Sequence, residues 1–157
     1  MKKKHVALLV GILVLDQLSK ILVDNVVKLN ESLEMIPNFF YITYAHNSGA
    51  AWSILEGKML FFYVVAIGAL IAMFLFYRNA KANDTLFKIG IVCMSAGTIG
   101  NFIDRLMFQY VRDFLDFIIF GYDFPIFNIA DMALCIGVLL IVLDVVREYL
   151  QEIGVMK

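Results

Sequence analysis

Residues 59–77 form a run of nineteen without a charge, closed by Lys58 on one side and Arg78 on the other. A helix that crosses a bilayer needs about 20 mostly apolar residues. Three further segments approach that length, 5–23, 86–103 and 125–145. The chain is 62% hydrophobic, where a soluble domain carries about 45–50% apolar residues. These features predict an all-α membrane protein of four transmembrane helices, built as a single domain over residues 1–157. A net charge of −1 gives nucleic acid no bulk attraction.

The basic start and apolar run of MKKKHVALLVGILVL look like a secretory signal peptide. DQLSK follows, however, where cleavage would need small residues, so the segment is expected to stay as the first span. Lys and Arg concentrate on the cytoplasmic side of membrane proteins. With four spans, Lys2, Lys3, Lys4, Arg78, Lys81, Lys88, Arg147 and Lys157 fall on one side. Lys20, Lys28, Lys58, Arg105 and Arg112 fall on the other. Both termini are therefore expected in the cytoplasm, with the connections 24–58 and 104–124 outside. Within the first, FFYITYA (39–45) has the aromatic and β-branched content of a strand, followed by a turn at Asn47-Ser48-Gly49. A small extracytoplasmic β-sheet is expected there. An outer loop or short helix is expected from 104–124. The third span carries Gly90, Ser95, Ala96, Gly97 and Gly100, small residues that let helices approach closely in lipid. It should be central. Cys93 and Cys135 match no metal spacing and read as small buried hydrophobes.

Ionisable residues in a span are costly and by default mark function. Here they gather at one depth, the outer interface. Asp16 and Lys20 lie near the outer end of span one, Asn101, Asp104 and Arg105 at that of span three, and Asn128 and Asp131 at that of span four. Asp16 and Lys20 are i,i+4 and can simply pair, and Asn128 suits a helix N-cap. Asp123 suits a turn, and Asp116 a solvated loop position. Asp131 resists such readings. Counted from Pro125 it lies about 6 residues into its helix, roughly 9 Å along the axis, with no basic residue within a turn. Asp113, in the outer connection, is the natural second carboxylate. Two carboxylates about 3 Å apart share one proton. One then acts as base on a water while the other donates to a carbonyl oxygen. Spacing alone does not establish the pairing.

Five stretches, DQLSK (16–20), HNSGAAW (46–52), GNFIDR (100–105), VRDFLDF (111–117) and FNIAD (127–131), resemble the bacterial lipoprotein signal peptidases (signal peptidase II) over nearly the whole chain. The resemblance implies an aspartic endopeptidase of the bacterial cytoplasmic membrane. Such an enzyme removes the signal peptide of prolipoproteins whose cysteine carries a diacylglyceryl group, without a metal or other cofactor. It implies catalytic roles for Asp113 and Asp131. Site-shaping roles fall to Asp16, Lys20, Asn47, Asn101, Asp104, Arg105 and Asn128, with Gly49 and Ala50 in a bordering loop. Asn47 and Asn128 would hold substrate backbone or inhibitor, and Arg105 would pair with Asp104. It also implies contact with membrane lipids, inhibition by the cyclic peptide globomycin lodged between the aspartates, and a monomeric enzyme. Two positions depart from the family pattern. Arg112 replaces an apolar residue, and if it points toward Asp113 it lowers that pKa. Trp52 replaces Phe. Met35 to Tyr44 could cradle the substrate, and the apolar 117–120 could dip into the interface or cover the site.

Four other readings compete, one of them a purely structural four-helix membrane protein, which leaves the gathering of polar residues at one interface unexplained. A transporter or proton relay should place acids through the membrane depth, yet the inner halves of spans two, three and four have none until Asp144 at the cytoplasmic end. A serine protease would need Ser48 and His46, two residues apart with no orienting acid. A metal site would use Asp113, Asp116 and Asp131.

Overall fold

The computed structural model describes residues 1–49, 55–81 and 84–155. Four helices, α1 (Lys3–Val26), α2 (Met59–Asn79), α3 (Thr85–Phe108) and α4 (Ile129–Glu152), are each long and apolar enough to cross a membrane. Strands β1 (Ser32–Ile36) and β2 (Phe40–Asn47) join α1 to α2, and β3 (Val111–Ile119) and β4 (Tyr122–Asp123) join α3 to α4. The four strands form one antiparallel sheet in the order β1-β2-β3-β4. All-α spans with a small sheet at one end are thus what the sequence implies. Leu60, Phe61, Val64 and Phe74 of α2 point outward. Such a surface suits hydrocarbon, where each helix satisfies its own backbone polar groups.

α3 is central, packing on each of the other helices and most extensively on α4. Small residues make this possible. A Cβ added at Gly97 would lie 2.3 Å from the Ala130 carbonyl oxygen. Added at Gly90, it would lie 2.7 Å from the Gly137 carbonyl oxygen. The α3–α4 seam is therefore a backbone-to-backbone contact that larger residues would prop open.

Three boundaries differ from expectation. The second outer connection holds no short helix among its described residues. α3 continues to Phe108 and stops at Gln109 (φ 66°), after which the chain runs extended as β3. β3 pairs along β2, Tyr41 opposite Asp116 and Ala45 opposite Asp113, so the two outer connections share one sheet. The fourth helix begins later than Pro125. Asn128 is its N-cap, and the Asn128 side chain accepts from the Asp131 N–H while the Asp131 side chain accepts from the Asn128 N–H. This reciprocal box satisfies donors that a helix start leaves free. Asp131 thus sits in the first turn rather than deep in the helix. Cys93 is buried as expected but Cys135 is exposed, and both are free thiols.

A β3–β4 turn places Phe120 (φ 52°) and Gly121 (φ 80°) at its tip. Both need the left-handed backbone of a tight hairpin turn. Phe120 adopts it despite its bulk and is fully exposed.

Candidate active site

Asp113 is placed by a strand and Asp131 by a helix start. Phe127 ties the two together: its carbonyl accepts from the N–H groups of Phe114 (3.0 Å) and Leu115 (2.8 Å), and its own N–H donates to the Leu115 carbonyl (3.0 Å). The chain entering α4 is therefore stitched to β3. Each carboxylate oxygen of the pair receives one hydrogen bond. Asn47 Nδ2 donates to Asp113 Oδ2 (3.0 Å) and Asn128 Nδ2 to Asp113 Oδ1 (2.6 Å). Asn101 Nδ2 donates to Asp131 Oδ1 (2.7 Å) and the Asn128 N–H to Asp131 Oδ2 (3.1 Å).

The amides have little choice of orientation. The Gly49 N–H donates to Asn47 Oδ1 (3.0 Å), which leaves the Asn47 amide nitrogen for Asp113. Arg105 Nη2 donates to the Gly49 carbonyl (2.9 Å), and the Arg105 guanidinium lies 4.6 Å from the Phe62 ring centre. Ala50 and Trp52 lie outside the described residues.

Behind the pair lies a buried ionic cluster. Lys20 (0% exposed) reaches Asp16 Oδ2 at 3.0 Å and Asp104 Oδ2 at 3.4 Å. Lys20 Nζ also donates to Asn101 Oδ1 (3.2 Å). Asp16 Oδ1 accepts the Ala130 N–H (2.9 Å), another free donor at the α4 start. Gly100 leaves room for this carboxylate, since a Cβ there would lie 2.6 Å from Asp16 Oδ2.

The expected pairing of Asp104 with Arg105 is not what forms. Asp104 accepts from Arg112 at the backbone N–H (3.0 Å), Nε (3.2 Å) and Nη2 (2.9 Å). Neighbouring helix residues point about 100° apart at 3.6 residues per turn, so Asp104 faces the cluster while Arg105 faces the cavity. Arg112 likewise alternates away from Asp113 along β3 and stays with Asp104. Gln17, which sequence reasoning passed over, completes the cluster. Its Nε2 donates to Asp16 Oδ2 (3.0 Å) and Asp104 Oδ1 (3.2 Å), and its Oε1 accepts from Arg112 Nη2 (3.2 Å). Its place inside DQLSK was the available signal.

Asp113 is 3% exposed. Burial, and then the charge of Asp131, push its pKa up to about 7, against hydrogen bonds from Asn47 and Asn128 and the positive charge of Lys20. A cavity of about 720 Å³ opens beside the pair. Asn47, Asn101, Arg105, Asp113 and Asp131 form its polar wall, while Met132, Cys135 and Ile136 extend it along α4. It thus joins a polar end to an apolar flank.

The competing readings fail on geometry. Ser48 Oγ donates to Glu56 Oε1 (2.7 Å) and His46 Nε2 meets the Tyr44 hydroxyl (3.0 Å), so these two side chains are not paired. Asp116 is no solvated loop charge either, because it accepts from the Thr43 hydroxyl (2.5 Å) on the sheet. Asp144, toward the far end of α4, pairs with Arg147 (2.7 Å), and no ladder of acids links the two ends among the described residues.

The family described as signal peptidase (SPase) II matches residues 8–147. The lipoprotein signal peptidase of Staphylococcus haemolyticus is 46% identical over 153 residues, spanning 94% of this chain and 97% of that protein. Its counterpart in Staphylococcus epidermidis is 47% identical, spanning 94% and 95%. Two bacterial membrane enzymes solved by the in meso method, at 2.3 and 1.9 Å resolution, share the fold with TM-scores of 0.89 and 0.84. They are 42% and 43% identical, covering 95% and 92% of this chain and 91% and 94% of theirs. A transporter reading finds no support here: this multi-pass membrane protein is a peptidase and belongs to the signal peptidase II family.

Proposed function

We propose that Asp113 and Asp131 are the catalytic pair of an aspartic endopeptidase that removes the signal peptide from lipoprotein precursors. The observation that carries this reading is the hydrogen-bonded frame in which every oxygen of the two carboxylates has one donor, beside a cavity with an apolar flank. A pair of this kind, Asp113 buried and Asp131 half-buried at the cavity wall, holds one proton between its members. The ionised member takes a proton from water as the water oxygen bonds to the scissile carbonyl carbon. The protonated member donates to the carbonyl oxygen. Collapse of the tetrahedral intermediate breaks the C–N bond, and the proton passes to the leaving nitrogen.

The cavity's apolar flank along α4 suits the acyl chains of a diacylglyceryl-cysteine, so the cleaved bond lies N-terminal to the lipidated residue. Asn47 and Asn128, held at the polar wall, are placed to meet substrate backbone. A cyclic peptide such as globomycin would compete by lodging between the aspartates. The seven described Lys and Arg residues at the end remote from the sheet, Lys2 to Lys4, Arg78, Lys81, Lys88 and Arg147, support cytoplasmic termini in a bacterial inner membrane. The site then faces outward, and exposed Phe120 rests in the lipid interface. The enzyme acts as a monomer.

The test is cleavage of a diacylglyceryl prolipoprotein by purified protein. Asp113→Asn and Asp131→Asn should each lower kcat by at least about 10³-fold, whereas Ser48→Ala and excess chelator should leave turnover unchanged. Undiminished turnover in either aspartate variant sinks the assignment.

A further inference from the structure

The ionic cluster behind the reacting pair contains four buried charges that cancel, Asp16 and Asp104 against Lys20 and Arg112. Arg112 already satisfies Asp104 through three hydrogen bonds. Stability alone therefore gives little reason for a second pair, because buried ion pairs return little net energy for their desolvation. What Lys20 adds is its third contact, the one to Asn101.

An ammonium only donates. Asn101 must therefore turn its carbonyl oxygen toward Lys20 Nζ (3.2 Å), which leaves its Nδ2 for Asp131 Oδ1 (2.7 Å). The same Asn101 oxygen accepts from Asn128 Nδ2 (3.1 Å), the group that also reaches Asp113. Without the cation, the Asn128 Nδ2 contact, shared with Asp113, is what remains to hold the Asn101 amide oxygen in place, and the amide turns over more readily. An amide oxygen would then face Asp131 Oδ1, an arrangement that is repulsive unless that oxygen carries the proton.

We infer that Lys20 is a positioning residue for the peptidase reaction: its buried ammonium locks the Asn101 amide with its N–H toward Asp131 and so fixes where the shared proton sits. This rests on the proposed assignment of Asp113 and Asp131. The other charges around the pair are Asp16 on α1, Asp104 and Arg105 on α3, and Arg112 on β3, while the β2 residue bonded to Asp113, Asn47, is neutral. Removing Lys20 alone would strand Asp16, so the informative variant is the charge-neutral double substitution Asp16→Asn/Lys20→Met.

The experiment is a pH–rate profile with the diacylglyceryl prolipoprotein, taken alongside melting temperature in micelles. The alkaline limb should move up by about one pH unit, because an Asn101 amide no longer held with its N–H toward Asp131 favours the proton-bearing form of the pair. The kcat should fall at least about tenfold while KM stays within about twofold. Should the double variant not fold, Asn101→Ala serves, since it leaves all four charges in place and cuts the amide link. It should lower kcat and move the limb the same way. An unmoved limb in the folded variant overturns the inference, whatever happens to kcat. Turnover in Asp113→Asn or Asp131→Asn under the same conditions would instead sink the catalytic assignment itself.

Discussion

Helices α2 and α3 are neighbours of similar length, 21 and 24 residues, and are specified in opposite ways. α2 buries a single residue, Met73. α3 buries ten, among them Asn101, Asp104 and three glycines of the seam or cluster, Gly90, Gly97 and Gly100. Gly68 of α2 has nothing within 4 Å of where a Cβ would go, whereas Gly97 of α3 meets backbone. α2 is an anchor whose sequence needs only to be oily. α3 is the scaffold on which α1, α4 and the site are assembled.

If that contrast holds, damage should scale with it. Asp104→Ala leaves Lys20 with one carboxylate partner and Arg112 uncompensated in a buried cluster, at a cost of about 3–5 kcal/mol. The expected outcome is a protein that is recovered poorly and melts far below the parent in micelles. A smaller effect follows from Asp113. Its folded pKa of about 7 lies above the ordinary carboxylate value near 3.9, so the native state binds the extra proton between those limits. The stability this proton contributes is present below pH about 4 and is lost as pH rises through 7. Melting temperature of the parent relative to Asp113→Asn should therefore decline between pH 4 and 8, by the equivalent of at most about 4 kcal/mol. A flat difference would mean the carboxyl is not perturbed. Gly97→Ala forces the seam apart and should cost about 1–3 kcal/mol. The smallest effect belongs to α2, where Gly68→Ala should be neutral or stabilise by up to about 1 kcal/mol through helix propensity. Equal melting-temperature losses for the two alanine substitutions would erase the distinction between anchor and scaffold. A finer probe lies at the site. Asn47→Ala removes a hydrogen bond that favours ionised Asp113, so the alkaline limb of activity should rise above pH about 7.

The same contrast explains what was legible in the sequence. Runs such as 59–77 announce themselves by hydropathy, and aromatic 39–45 by its strand chemistry. Gathering of polar residues at one interface pointed to the site because charges in lipid are expensive. Partnerships were harder. Asp104 beside Arg105 suggested a pair, but helix geometry sends adjacent side chains apart, and the true partner, Arg112, comes from a strand eight positions on. Pro125 suggested a helix start, yet the cap chemistry belongs to Asn128. β1 was invisible because all five of its residues are exposed, leaving no alternation of burial to read. Cys135 looked like a core residue since composition cannot tell a lipid-facing or cavity-facing position from a packed one.

The register that sets Ala45 opposite Asp113 makes the two outer connections inseparable. A segment some seventy positions upstream holds β3 in place, so neither connection can be swapped between relatives by itself. Chimeras built to change substrate range should carry 32–47 and 111–127 across as one cassette.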